Sequence, residues 1–157
     1  MSERDMPTAS PQRPQRELDG PAARVLLAED DAEVRRLLTQ ALRRDGYDVI
    51  AVSTAEDLLG VLSASEAASP PGEPPDLIVS DIRMPGISGL EMLGVLRQGE
   101  RPPPVILITA FGDSETHAKA ARLGAEFVFD KPFDLSDLRA AVRSVVRLAR
   151  ARPLDTA

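Results

Sequence analysis

The chain has 157 residues, 43% of them hydrophobic, which suffices for one domain with a sizeable core and leaves little for a second. Its formal net charge of −6 argues against a general affinity for nucleic acid or anionic membrane. The absence of cysteine excludes disulfides, thiolate metal sites and cysteine nucleophiles.

The N-terminus, MSERDMPTASPQRPQRELDG, has no apolar core of a secretory signal. No apolar run approaches the roughly 20 residues that span a bilayer, so a cytoplasmic location is expected. Four of the 14 prolines fall within residues 1–22, where apolar residues are few, and this segment is expected to be disordered. Residues 24–28 (RVLLA) read as a short buried strand. Residues 32–45 carry Val34, Leu37, Leu38, Ala41 and Leu42 at helical spacing, with Asp31 as the cap and Gly46 as the stop. YDVIAV, residues 47–52, is a second strand. Ser53 with Glu56 three residues on predicts a capping box for a helix bearing Leu58, Leu59, Val61 and Leu62. The proline-rich SEAASPPGEPP, residues 65–75, leads to a strand at 76–80 that runs straight into Asp81. A helix near 88–98 follows, then Pro102-Pro103-Pro104 and a strand VILIT at 105–109. Asp113 or Ser114 caps a weak helix to Leu123, and EFVFD, residues 126–130, is the fifth strand. The last helix, capped by Asp134, repeats Leu135, Leu138, Val142, Val145, Val146 and Ala149, and residues 151–157 form a short tail.

Short apolar strands that each precede a helix imply a parallel sheet covered on both faces. Five strands are too few for an eight-fold barrel. The expected fold is α/β, a flavodoxin-like doubly wound sandwich with strand order 2-1-3-4-5, one domain over residues 23–150, and a cleft at the carboxyl ends of the strands. The residues at those ends are Glu29-Asp30-Asp31 on strand one, Asp81 on strand three, Thr109-Ala110 on strand four and Lys131-Pro132 on strand five.

Strands one and three are expected neighbours, so two or three carboxylates of one face a carboxylate of the other. Like charges ~4 Å apart repel by roughly 4 kcal/mol per pair at an effective dielectric of about 20. A hard divalent cation relieves that repulsion without protonation. Oxygen ligands with no Cys or His favour Mg²⁺ or Mn²⁺ over zinc. Each residue alone has an ordinary reading. Asp31 suits a helix cap better than a ligand, Glu29, Asp30 and Lys131 suit a solvated surface, and Thr109 suits a strand. Their joint placement at one rim is what points to chemistry. Of the 19 basic residues, 17 are Arg, so a Lys at position 131 is a specific demand.

VLLAEDDAEVRRLL, LIVSDIRMPGISGLEML, VILITAFGD and LGAEFVFDKPFD together resemble the receiver domains of response regulators in two-component signalling, over residues ~23–150. The resemblance implies that Asp81 is a phosphoryl acceptor, that Asp30 binds Mg²⁺ directly and Glu29 through water, and that the backbone carbonyl of Arg83 is a further ligand. It implies that the Thr109 hydroxyl closes onto the phosphoryl group, that Lys131 pairs first with the acceptor and then with the phosphate, and that Pro132 is cis. A carboxylate can attack phosphorus to give an acyl phosphate, with metal and ammonium neutralising the transferring charge. The lone histidine, His117, is expected on the surface, so the donor histidine belongs to a sensor kinase or a histidine phosphotransfer protein. A downstream protein target is expected, and direct contact with nucleic acid or membrane is not. The expectation is a single-domain response regulator, not an enzyme beyond self-phosphorylation and autophosphatase chemistry.

Alternatives are a receiver fragment of a longer regulator or hybrid kinase, and a Mg²⁺-dependent aspartyl-phosphate hydrolase. The hydrolase would need a second acid two residues after its nucleophile, where this chain has Arg83. A nucleotide-binding Rossmann module would need a glycine-rich loop where this chain has acids. Two departures from the family pattern bear on signalling. Val128 stands three residues before Lys131, where an aromatic is common, with Phe127 and Phe129 expected on the other face, so an altered output is expected. Arg83 and Phe111 lie two residues beyond Asp81 and Thr109, where bulk predicts slow self-dephosphorylation. Arg139, Arg143, Arg147 and Arg150 line one side of the last helix, as a solvated face or a docking stripe.

Overall fold

The computed structural model describes residues 21–151, so the segment expected to be disordered and the short tail lie almost wholly outside the described residues. Five strands, β1 (Arg24–Ala28), β2 (Asp48–Val52), β3 (Leu77–Asp81), β4 (Val105–Thr109) and β5 (Phe127–Asp130), alternate with five helices. The helices are α1 (Ala32–Arg44), α2 (Ala55–Ala67), α3 (Gly89–Leu96), α4 (Ser114–Arg122) and α5 (Leu135–Ala151). The sheet is parallel with order β2-β1-β3-β4-β5, as the alternation of elements predicts.

Strand alternation divides the core in two. Val25, Leu27, Val79, Ile106 and Ile108 face Leu38 and Leu42 of α1 and Leu138, Val142 and Val145 of α5. Leu26, Ala28, Ile78, Val105 and Leu107 face Ala55 and Leu58 of α2, Met92 and Leu93 of α3 and Ala120 of α4. β3 and β4 are buried along their whole length, which is why they read as continuous apolar runs. Truncating a fully buried leucine such as Leu38 or Leu107 to alanine is expected to cost about 2–5 kcal/mol. That core holds the carboxyl-end rim in place.

The helix ends follow local chemistry. Asp31 caps α1 by accepting from the Glu33 and Val34 amides at 2.9 and 3.1 Å, and Gly46, at φ 100°, takes the left-handed position beyond its end. The expected Ser53–Glu56 capping box is not formed. Thr54 is the N-cap of α2 and accepts from Asp57 N at 3.0 Å. Two hydroxyl-x-x-acid frames overlap here, one residue apart, and the chain uses the later one. A capping box does form at α3, between Ser88 and Glu91. On α5, Arg139 grips Asp45 with both Nε and Nη2 at 2.9 and 2.7 Å, and Arg150 reaches Asp76 at 3.4 Å, so the expected solvated stripe is partly pinned to the body. No helix among the described residues is long and apolar enough to cross a membrane.

Candidate functional site

Parallel strands bring their carboxyl ends to one rim. The register sets Ala28 beside Ser80, Asp81 beside Ile108 and Thr109 beside Asp130. One residue past Ala28, Glu29 still follows the sheet, its N–H donating to Val52 O at 3.1 Å. These placements gather Glu29, Asp30 and Asp81, whose carboxylate oxygens lie within 4.8 Å of one another. Glu29 and Asp81 are buried and Asp30 is exposed.

Lys131 enters the cluster from β5. Its Nζ donates to Asp81 Oδ2 at 2.8 Å and to Glu29 Oε1 at 3.4 Å. The Lys131–Pro132 peptide is cis. Desolvation pulls the Lys131 ammonium towards neutrality, but the hydrogen bond and charge of Asp81, with Glu29 behind them, outweigh it and raise its pKa. Glu29 Oε2 accepts from Asp31 N at 3.0 Å. Burial nonetheless pushes the Glu29 carboxyl up to about 7, and the neighbouring Asp81 charge adds to the rise against the Asp31 amide and Lys131. Three carboxylates against one ammonium leave negative charge in excess. All-oxygen donors from two adjoining strands, within 4.8 Å of one another, fit a hard divalent cation.

The other expected residues are placed as follows. Asp31 serves the helix. Arg83 N donates to Asp81 Oδ1 at 3.3 Å, which puts the Arg83 backbone at the edge of the cluster. The Arg83 guanidinium lies over the Phe111 ring, 4.7 Å from its centroid. Thr109 is fully buried and its Oγ1 accepts from Phe111 N at 3.1 Å, while its carbonyl accepts from Lys131 N at 2.7 Å. Thr109, Arg83, Phe111, Met84, Leu90 and Thr116 line a cleft of about 360 Å³ beside Asp81. Val128 packs into the α2–α3–α4 core and Phe129 into the other, which matches the expected alternation. His117 is partly exposed but not free, since its Nε2 lies 3.0 Å from Asp130 Oδ1.

Contacts between distant segments outside the cluster were not foreseen, and one of them reaches the loop beside the site. Glu56, released from the capping box, crosses to the loop after β3 and accepts from Ile87 N at 3.1 Å. Sequence spacing offered no sign of it, because the partner lies 31 residues away.

The response regulator receiver domain family model matches residues 25–143. Response regulator protein FleR of Pseudomonas aeruginosa is 41% identical over 113 residues, 72% of this chain and 22% of that protein. Transcriptional regulatory protein PcoR of Escherichia coli is 32% identical over 129 residues, 82% of this chain and 54% of that protein. The chain thus spans about a fifth to a half of the length of these curated relatives. Among solved structures, response regulator TrrA of Thermotoga maritima, in complex with Mg²⁺ and a beryllium fluoride, aligns with a TM-score of 0.66 at 28% identity, over 78% of this chain and 98% of that one. The signal receiver domain of a histidine kinase from Syntrophus aciditrophicus aligns with a TM-score of 0.72 at 25% identity, over 87% and 98% of the two chains.

Proposed function

We propose, for a chain that belongs to the family of response regulator receiver domains, that Asp81 accepts a phosphoryl group from a phosphohistidine of a sensor kinase or phosphotransfer protein. The observation that carries this is the Lys131 ammonium, 2.8 Å from Asp81 Oδ2 inside a cluster of three carboxylates. An Asp81 oxygen attacks phosphorus, the bond from phosphorus to the donor nitrogen breaks, and the donor imidazole leaves with its own electron pair. Lys131 then turns from the carboxylate to the phosphoryl oxygens, as a compact point charge on a flexible stem can. Asp30, Glu29, Asp81 and the Arg83 backbone carbonyl are the groups that would hold Mg²⁺, which when bound supplies charge neutralisation on the phosphoryl oxygens.

The phosphoryl group adds close to two negative charges and three acceptor oxygens. The Thr109 hydroxyl, which already accepts from Phe111 N, has its own proton to donate to one of them, and moving to do so carries the loop at 110–113 with it. Gly112 of that loop lies so close to the His117–Asp130 pair that an added Cβ would land on the Asp130 carboxylate. Site chemistry is thereby linked to α4 and β5 without an aromatic at position 128. The output is phosphorylation-dependent docking of a protein partner or onward transfer to another histidine. A catalytic hydrolase is disfavoured because Arg83 stands where its second acid would be. Mass spectrometry after treatment with a small acyl phosphate and Mg²⁺ tests the reading. One added phosphoryl group, lost in Asp81→Asn, is expected, and an unmodified wild-type chain would refute it.

A further inference from the structure

The loop from Asp81 to Gly89 is fixed at both ends. Ile82 N donates to Ile108 O at 2.7 Å, and Gly89 N closes back on Ile82 O at 2.8 Å. Ser88 is locked by its reciprocal bonds with Glu91, at 2.8 and 3.1 Å. Between these ends Arg83, Pro85 and Gly86 are exposed and Pro85 has no N–H to anchor it, while Met84 and Ile87 pack in part against the α2–α3–α4 core. Glu56 reaches this stretch from the first turn of α2, a helix seated by the fully buried Ala55 and Leu58. Glu56 Oε2 accepts from Ile87 N at 3.1 Å. Its carboxylate also lies against Gly86, where φ is +85° and an added Cβ would meet the Glu56 oxygens. Gly86 is thus required twice, for its backbone and for the room it leaves.

We infer that Glu56 is a positioning residue for the metal: it holds the loop that carries Arg83, and so holds the Arg83 backbone at the ion site. This rests on the reading of that backbone carbonyl as a ligand. Glu56 acts through Ile87 and touches neither ion nor phosphoryl group. The effect belongs to its acceptor oxygen, because the side chain is exposed and its charge is screened by water. The side-chain amide of glutamine keeps that acceptor and discards the charge.

The test is a two-dimensional amide NMR titration of the whole chain with MgCl₂. Glu56→Ala is expected to weaken Mg²⁺ binding by about fivefold, the scale of one net hydrogen bond. Glu56→Gln is expected to stay within about twofold of wild type, and the Ile87 amide to exchange faster with solvent in Glu56→Ala alone. Gly86→Ala, which strains the φ +85° backbone and also pushes the carboxylate aside, is expected to weaken binding at least as much, with less than additive loss when Glu56→Ala is added. Wild-type affinity in Glu56→Ala, or an equal loss in Glu56→Gln, overturns the inference. Asp30→Asn separates the two levels. If it leaves Mg²⁺ binding intact, the metal site itself is misplaced. If it abolishes binding while Glu56→Ala does not, the error lies with Glu56 alone.

Discussion

The Lys131 ammonium and the Asp81 carboxylate meet at 2.8 Å although 50 residues separate them in the chain. Lys131 therefore occupies, as a cation, part of the negative field that a metal would use. In the proposed reading the same side chain would both compete with the ion and serve the phosphoryl group.

Lys131→Ala separates those two roles. Removing the ammonium takes away cation–cation repulsion worth ~1 kcal/mol even for charges ~4 Å apart in bulk water, so Mg²⁺ affinity should rise at least about fivefold. Phosphoryl transfer to Asp81 should fall, because no cation remains to follow the charge onto the phosphoryl oxygens. A metal titration paired with phosphorylation kinetics reads both. Parallel loss of metal and phosphoryl binding would show that Lys131 holds the site together instead.

Glu29 makes the metal-free protein sensitive to pH. Its carboxyl is pushed up to about 7, from an ordinary value of 4.5. Between those values the folded chain binds more protons than the unfolded one, so this group's contribution to stability falls as pH rises through that window. A divalent cation bound there would reverse the preference by favouring the ionised form. The gain in thermal midpoint on adding Mg²⁺ should accordingly grow from pH 5.5 to pH 8, and Glu29→Gln should flatten the trend. An Mg²⁺ gain independent of pH in wild type would rule Glu29 out as the titrating group.

Two glycines of the same helical layer should respond in opposite directions. An added Cβ at Gly89 would land on the Asp81 carbonyl and come within 3.0 Å of Ile82 Cα. Gly89→Ala is therefore expected to cost about 1–3 kcal/mol, since backbone atoms cannot give way as a flexible side chain can. Gly60, in the middle of α2, has nothing within 4 Å of its added Cβ. Gly60→Ala should stabilise by about 0.5–1 kcal/mol through helix propensity. Urea unfolding of both variants decides, and a neutral Gly89→Ala would mean that the β3–α3 junction is looser than its packing indicates.

What was legible in the sequence was whatever repeats at short range. Apolar runs bounded by Pro, Gly and acids mark all five strands, and the strand-end rule alone places Glu29, Asp30, Asp81 and Lys131 together. Contacts between loops were not legible, because no periodicity links them. Glu56 was assigned to Ser53 since a local cap was sufficient to account for it, and Thr54–Asp57 offered an equal frame one residue on. His117 read as a plain surface residue because Asp130, its partner, lies in another element. The stacking of Arg83 on Phe111 depends on where two loops converge, though both side chains had been singled out by their spacing from Asp81 and Thr109.

That stack makes a prediction about lifetime. Arg83 and Phe111 both line the cleft at the end of β3, with the guanidinium 4.7 Å from the ring centroid. An exposed cation–π contact is worth about 0.5–1 kcal/mol, so opening it costs a factor of roughly two to five in the population that admits water. The stack should then slow self-dephosphorylation of the wild-type chain by that same factor of about two to five, in line with the slow decay that the bulk at these two positions predicts. Arg83→Ala and Phe111→Ala should each speed it about two- to fivefold. The double variant should be no faster than the faster single one, because either change alone removes the contact. Phosphoprotein decay, followed by mass spectrometry in Mg²⁺ after removal of the donor, measures this directly. Decay within seconds in wild type, or independent and multiplying effects of the two substitutions, would show that water reaches the acyl phosphate by a route the stack does not cover.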